Sequence, residues 1–333
     1  MKRTLALCLY LLTAWPSLGQ TPEVVTDIPV VHSLTSAVMG ELGRPRLLVD
    51  QGADPHHMQL RPSQVSVLNG ASLILWVGPE LEPWLERALA DRKGRTVALL
   101  HQPGVTLREY GDPKDDSATG DNYDDHDHDH DHDHDHDHDH DHDHDHHAEA
   151  ADHQEPHRHE GIDPHAWLDP DNAALWVGVI ADALAQIDPA NAVTYRANAT
   201  LTQARLRALD ESLRATLAPA RDVPLAFAHD AYGYFADQYD LKIVATLAEG
   251  DATTPGAGHL SQLRAMIEAG EIGCILPEAG RDDRAIRLLA DGTGLRIGAP
   301  VDPAGRRIEP GPMLYETMMR SLAQAIADCA SGS

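Results

Sequence analysis

Basic residues are the first shortage: 26 Lys and Arg stand against 53 Asp and Glu, for a formal net charge of −27. No basic stripe is present, which excludes nucleic acid as a partner and disfavours anionic membrane surfaces. The imbalance is local. Residues 112–160 hold 20 acids against only Lys114 and Arg158, a charge of −18, so the remainder of the chain carries −9 and is only mildly acidic. Long apolar runs are missing as well. The one candidate, Leu5 to Trp15, follows Lys2 and Arg3, precedes Pro16, Ser17 and Gly19, and is too short for a spanning helix. With no stop-transfer pattern after it, it reads as a secretory leader over residues 1–20, the mature chain starting near Gln20 to Glu23. Cysteine is nearly absent. Cys8 lies inside the leader, with little charge before it, and is not read as a lipid-attachment site. That leaves Cys274 and Cys329 in a compartment where disulfides persist. A bridge between them is expected and would contribute roughly 4 kcal/mol on the chain-entropy model; two separately buried thiols are the alternative.

What is present in excess is an alternation of Asp and His from Asp125 to His147. Such a composition cannot bury enough apolar area to offset its ordering entropy, so disorder is expected over about residues 112–160. His-rich tracts bind transition metals, and imidazole suits Zn, Cu and Ni. The accessory ligands are therefore His126, His128, His130, His132, His134, His136, His138, His140, His142, His144, His146 and His147. A purification tag is the bland reading, but tags sit at termini, and this run lies between segments with folding signals.

Those signals come in alternation. Strands are expected at Glu23–Ile28, Arg46–Asp50, Ser72–Val77 and Arg95–Leu100, with helices at Val31–Leu42, Pro62–Leu68 and Glu80–Asp91, the last carrying Glu80 and Glu82 in its first turn. The apolar run SLILWV has the continuous character of a strand buried on both faces, as in parallel sheets. After the long loop come a helix from Asp171 to Ile187 and then Ala190–Leu217, free of Gly and Pro and about 40 Å long as a helix. Alternation restarts with strands at Pro224–Ala228, Lys242–Leu247, Gly273–Leu276 and Leu295–Ala299. The fold class is thus α/β, with two domains (21–188 and 219–333), each a four-stranded mostly parallel sheet with flanking helices, joined by one long helix over 189–218.

Open α/β sheets bind ligands beyond the carboxyl ends of their strands. Applied here, that rule selects His56 after the second strand, His165 in the segment after the fourth, His229 directly after the fifth and Asp302 after the eighth. Three nitrogens and one oxygen make a tetrahedral zinc shell. Singly, each is an ordinary turn or cap residue. Together they gain weight because Asp54-Pro55-His56 and Asp163-Pro164-His165 repeat one triplet, with Pro stiffening each loop. His57 stands as the alternative to His56, and Glu278 as an addition or alternative to Asp302; His32, Glu80 and Tyr232 are placed at the mouth.

The segments GADPHHMQLRPSQ, LILWVGPELEPWL, DPHAWLDP, AHDAYGYF and PVDPAG, in this order, resemble the zinc-binding solute receptors of bacterial ABC importers. The resemblance covers nearly the whole mature chain, including the long central helix, the His-rich loop and the paired cysteines. It implies metal ligands at His56, His165, His229 and Asp302, a periplasmic location, and a membrane permease as partner. His rather than Glu at 229 resembles the zinc branch, not the manganese branch, in line with the preference of manganese for oxygen.

The leading expectation is therefore a monomeric, non-catalytic receptor that captures Zn²⁺ and hands it to an ABC importer, the Asp-His run acting as an accessory collector. Binding would release protons and weaken below about pH 6. A stand-alone periplasmic zinc buffer or metallochaperone, a periplasmic metallochaperone as an additional partner, and a receptor for manganese are the alternatives. A secreted zinc hydrolase fits less well: it needs an open coordination position, and no HExxH-type helix is present.

Overall fold

The computed structural model describes residues 21–90, 92–110, 161–248 and 255–332. The expected leader and the Asp-His run from His126 to His147 lie outside the described residues. In the first half, β1 (Val24–Thr26), α1 (Pro29–Met39), β2 (Arg46–Leu47), α2 (Pro62–Gly70), β3 (Leu73–Trp76), α3 (Pro83–Leu89) and β4 (Arg95–Ala98) alternate. Two helices follow, α4 (Pro170–Ile187) and α5 (Ala192–Leu217). The second half repeats the alternation with β5 (Pro224–His229), α6 (Gly233–Tyr239), β6 (Lys242–Ala248), α7 (Ala257–Glu268), β7 (Cys274–Leu276), α8 (Arg284–Ala290), β8 (Arg296–Ile297) and α9 (Leu314–Ser331).

Each half holds a four-stranded sheet, ordered β2-β1-β3-β4 and β6-β5-β7-β8, with every pair parallel. The α/β class, the two parallel sheets and the long helix between them are as the sequence predicts. Burial on both faces explains the strand chemistry. Leu73 and Leu75 of β3 enter the large core, whereas Ile74 and Trp76 face a separate cluster with Leu85 and Leu89 of α3. In β7, Cys274 and Leu276 likewise point into the large core and Ile275 into an outer cluster beneath α7 and α8.

That large core is continuous through both halves and includes Trp176 of α4, Leu206 and Leu213 of α5, Phe227 of β5 and Met319 of α9. The buried stripe of the 26-residue α5, from Tyr195 through Ala199, Thr202, Leu206, Leu209 and Leu213 to Leu217, has helical spacing and packs on α1, α4 and α9. A disulfide joins Cys274 of β7 to Cys329 of α9, with their Cα atoms 6.0 Å apart.

Several expected boundaries move. β2 and β8 are each only two residues long, because the chain turns into the loops that reach the cleft. The third helix begins at Pro83, not at Glu80: Leu81 and Glu82 close a turn on the Gly78 carbonyl, and proline at the first helical position supplies a ready φ. Glu80 is therefore outside the helix and pairs with His101, while Glu82 sits at the cap position, fully buried. No described helix is long and apolar enough to cross a membrane.

Candidate metal centre

Strand ends bring the chemistry together. His229 is the last residue of β5 and is buried. His165, also buried, directly precedes a 3₁₀ turn at Ala166–Leu168, and His56 lies half-buried in the loop after β2. The His56 and His165 ring centroids are 5.4 Å apart, and those of His165 and His229 5.8 Å. Two imidazoles on one tetrahedral zinc, with Zn–N near 2.0–2.1 Å, would place their centroids about 5 Å apart. The His56–His165 pair is thus close to that geometry, and the His165–His229 pair stands wider by roughly half an ångström. Accordingly, no group of three or more His, Cys, Asp or Glu among the described residues is already tight enough to hold an ion. Between the rings is a cavity with room for about one water-sized sphere, lined also by Asp54, Trp167, Glu278, Arg281 and Arg306.

The two Asp-Pro-His triplets build the same local turn. Asp54 Oδ1 accepts the backbone N–H of His56 at 3.1 Å, and Asp163 Oδ1 accepts that of His165 at 2.9 Å, each carboxylate bonding two residues on across the proline. Asp163 goes further and takes the His165 Nδ1 at 2.8 Å. A proton held there puts the ring lone pair on Nε2, the arrangement of a carboxylate-oriented metal histidine. On the opposite side, His229 Nδ1 meets Glu278 Oε2 at 2.5 Å.

Glu278 is itself pinned. Arg306 pairs with its Oε1, and Arg281 Nε lies 3.1 Å from Oε2. Burial alone would raise its pKa, but the bond to His229 and the charges of His229, Arg281 and Arg306 outweigh it and hold the carboxyl at about 2. Asp302 is placed differently. Its two oxygens accept the backbone N–H groups of Arg306 at 3.0 Å and Arg307 at 2.8 Å, tightening the turn that presents Pro303 and Ala304 to the cavity. The Tyr232 phenol is pushed up by burial and by the charges of Glu278 and Asp302, so both acids act on the same neighbourhood.

Of the sequence-predicted residues, His56, His165, His229 and Glu278 line one cavity, and Asp302 flanks it. His57 is exposed and outside the lining. Tyr232 is buried behind His229, stacked on Phe227, and Glu80 is engaged with His101, so neither lines the cavity. Sequence reading missed Asp54, Asp163, Arg281 and Arg306. The first two had a signal, since they open the repeated triplets; the arginines had none.

The family model for the periplasmic component A of the zinc-uptake complex, ZnuA, matches residues 24–329. A high-affinity zinc uptake system protein ZnuA from Paracoccus denitrificans is 44% identical over 318 residues, covering 95% of this chain and 94% of that protein. Its counterpart in Brucella suis is 36% identical over 317 residues, covering 94% and 93%. Among solved structures, a ZnuA crystal structure aligns with a TM-score of 0.70 at 21% identity, covering 93% of this chain and 99% of that one. The solute-binding protein FpvC of Pseudomonas aeruginosa, solved with Mn²⁺, aligns at 0.71 and 20%, covering 94% and 99%, a likeness of fold. The chain therefore belongs to the ZnuA family of periplasmic zinc-uptake components.

Proposed function

We propose that this protein captures Zn²⁺ between its two halves in the periplasm and delivers it to the membrane permease of an ABC importer, without catalysing a reaction. His56, His165 and His229 supply the nitrogen ligands through a tetrahedral arrangement, and Asp302 supplies the carboxylate; Glu278 is the alternative fourth ligand. The observation that carries this reading is the convergence of three imidazoles from three separate segments, with ring centroids 5.4 and 5.8 Å apart, around a cavity sized for a bare ion. An imidazole-rich set suits zinc better than manganese. Membership of the zinc-uptake family, and relatives named as high-affinity zinc uptake proteins over most of their length, support the same cargo and the same kind of partner.

The Asp-His run is an accessory collector. A run of many equivalent ligands loses chain entropy each time it wraps an ion, whereas groups at strand ends are already placed, so the tight site is the cleft. Titration calorimetry of the full-length protein and of a variant lacking residues 124–147 separates the two. One tight zinc event should survive the deletion while weaker ones disappear, and His56→Ala, His165→Ala or His229→Ala should each weaken the tight event. Loss of the tight event on deletion of the run would move the principal site out of the cleft.

A further inference from the structure

Beside the three histidines stand three carboxylates, Asp54, Asp163 and Glu278; Arg281 joins Asp54 to Glu278 across the gap between the halves, and Arg108 joins Asp163 to Asp237. Arg281, in the second half, contacts Glu278 at 3.1 Å on its own side and reaches Asp54 of the first half at 3.6 Å. Glu278 orients His229, and Asp54 shapes the turn that presents His56. Arg108 repeats the pattern in the opposite direction. From the first half its guanidinium faces Asp163, the carboxylate that orients His165, at 3.8 Å, and meets Asp237 on α6 of the second half at 3.4 Å.

The seat of Arg108 is built for it. Its backbone N–H donates to the Tyr234 hydroxyl at 2.8 Å, and that hydroxyl donates to the Asp163 carbonyl at 3.0 Å. The guanidinium lies flat against Gly233, where any Cβ would overlap it. Adjacent backbone bonds, Asp163 N–H to the Arg108 carbonyl at 2.8 Å and Tyr110 N–H to the Gly161 carbonyl at 2.9 Å, tie the segment carrying Arg108 to the one carrying His165.

Resting on the cleft assignment above, we propose that Arg108 and Arg281 are positioning residues for the metal site. Each guanidinium holds a carboxylate that aims a cleft histidine and at the same time straps the two halves together, so the two arginines set how long the cleft retains its ion. Neither can ligate the ion, since a guanidinium offers only N–H donors. A planar, forked cation can serve two carboxylates at once, which a lysine ammonium does less well. Carboxylates one step behind a metal ligand typically govern about 10–100-fold in affinity, and the arginines that hold those carboxylates act through them at the lower end of that range. Because the straps exist only when the halves are together, their effect falls on release rather than on capture.

The experiment mixes zinc-loaded full-length protein with excess chelator and follows the slow phase of zinc release, with association measured separately. Arg108→Gln and Arg281→Gln should each accelerate the slow phase by about 10-fold and leave association within about 2-fold of the parent. Arg281→Lys should recover part of the loss, and Gly233→Ala, which displaces the Arg108 guanidinium without altering charge, should accelerate release in the same direction. Should a glutamine variant fail to fold, as judged by melting of the metal-free protein, Gly233→Ala tests the Arg108 strap and Arg281→Lys the Arg281 strap, each releasing zinc faster than the parent but by less than about 10-fold. Unchanged or slower release in the folded variants overturns the proposal. If at the same time the three His→Ala variants lose tight zinc, the cleft assignment stands and only the strap is wrong; if they keep tight zinc, the assignment itself fails.

Discussion

The two halves share a strand order, which allows the same two strand ends to be compared. In the first half, Asp27 follows β1 and Glu82 follows β3; in the second, His229 ends β5 and Glu278 follows β7, the strands that hold the equivalent places in their sheet. All four side chains are buried. Asp27 accepts the backbone N–H groups of Ile28 and Val77, both at 2.6 Å, and so ties the end of β1 to the end of β3 while facing Glu82. Burial raises the pKa of both acids, the charge of Asp27 raises Glu82 further, and neither acid has an ion-pair partner among the described residues. In the second half, Glu278 is held near 2 by its bond to His229 and by two guanidiniums. One strand-end pair therefore has two acids with raised proton affinity, while the other keeps a charge against an imidazole. Exchanging an acid for a histidine, and supplying arginines, separates a structural knot from the pair at the proposed metal site.

The largest effect expected from breaking this difference is that of Glu278→Gln. The amide keeps the shape but removes the charge that orients His229 and compensates Arg281 and Arg306. An uncompensated buried cation costs about 3 kcal/mol, and loss of the orienting carboxylate costs about 10-fold or more in zinc affinity. The sign with pH follows from the depressed pKa. The unfolded carboxyl titrates near its ordinary 4.5 and the folded one at about 2, so its contribution is complete above about 4.5 and is lost as pH falls toward 2. Urea unfolding of metal-free protein should therefore show a flatter acid limb in Glu278→Gln. An acid limb identical to the parent would mean that Glu278 is not held as an anion.

Glu82→Gln should produce a smaller effect of opposite direction. The folded acid pair binds a proton that the unfolded chain gives up above the ordinary carboxylate range, near 3.8 to 4.5. Its stabilising contribution is present below that range and declines as pH rises through the raised folded values. An amide at 82 can donate to Asp27 without needing a proton. The variant should gain about 1 kcal/mol at pH 8 relative to pH 5, read as a flatter melting temperature against pH. If the slope is unchanged, the pair does not retain its proton in the folded protein.

How much of this was legible beforehand follows from range. Strands such as LILW announce themselves because burial on both faces leaves no polar residue in the run, and the 3.6-residue periodicity of α5 does the same for the long helix. The meeting of the three histidines was legible because strand ends in α/β sheets share one edge, and because a triplet repeated. What could not be read was the layer behind them. Arg281 reaches Asp54 across a separation of more than two hundred residues, and Arg108 meets Asp237 from the far side of the Asp-His run; no local pattern encodes such a meeting. The Glu80 helix start failed for a local reason, since the competing turn on Gly78 and the proline at 83 together outweigh the pull of the macrodipole on two acids.

The smallest effect concerns Asp54, the weakest link between the unlike pairs. Asp54→Asn retains an oxygen for the His56 backbone N–H, and asparagine is well suited to this turn, so the presentation of His56 survives. What it loses is the charge facing Arg281 at 3.6 Å, a contact whose partners are 25% and 30% exposed and therefore strongly screened. Such a pair is worth about 0–1 kcal/mol, so zinc release should quicken by no more than about 3- to 5-fold, less than in Arg281→Gln, which also strips Glu278 of a cation. The measured ratio between the two variants apportions Arg281 between its roles. A ratio near one would assign its whole effect to the bridge across the gap, and a large ratio would assign it to the orientation of Glu278 and, through it, His229.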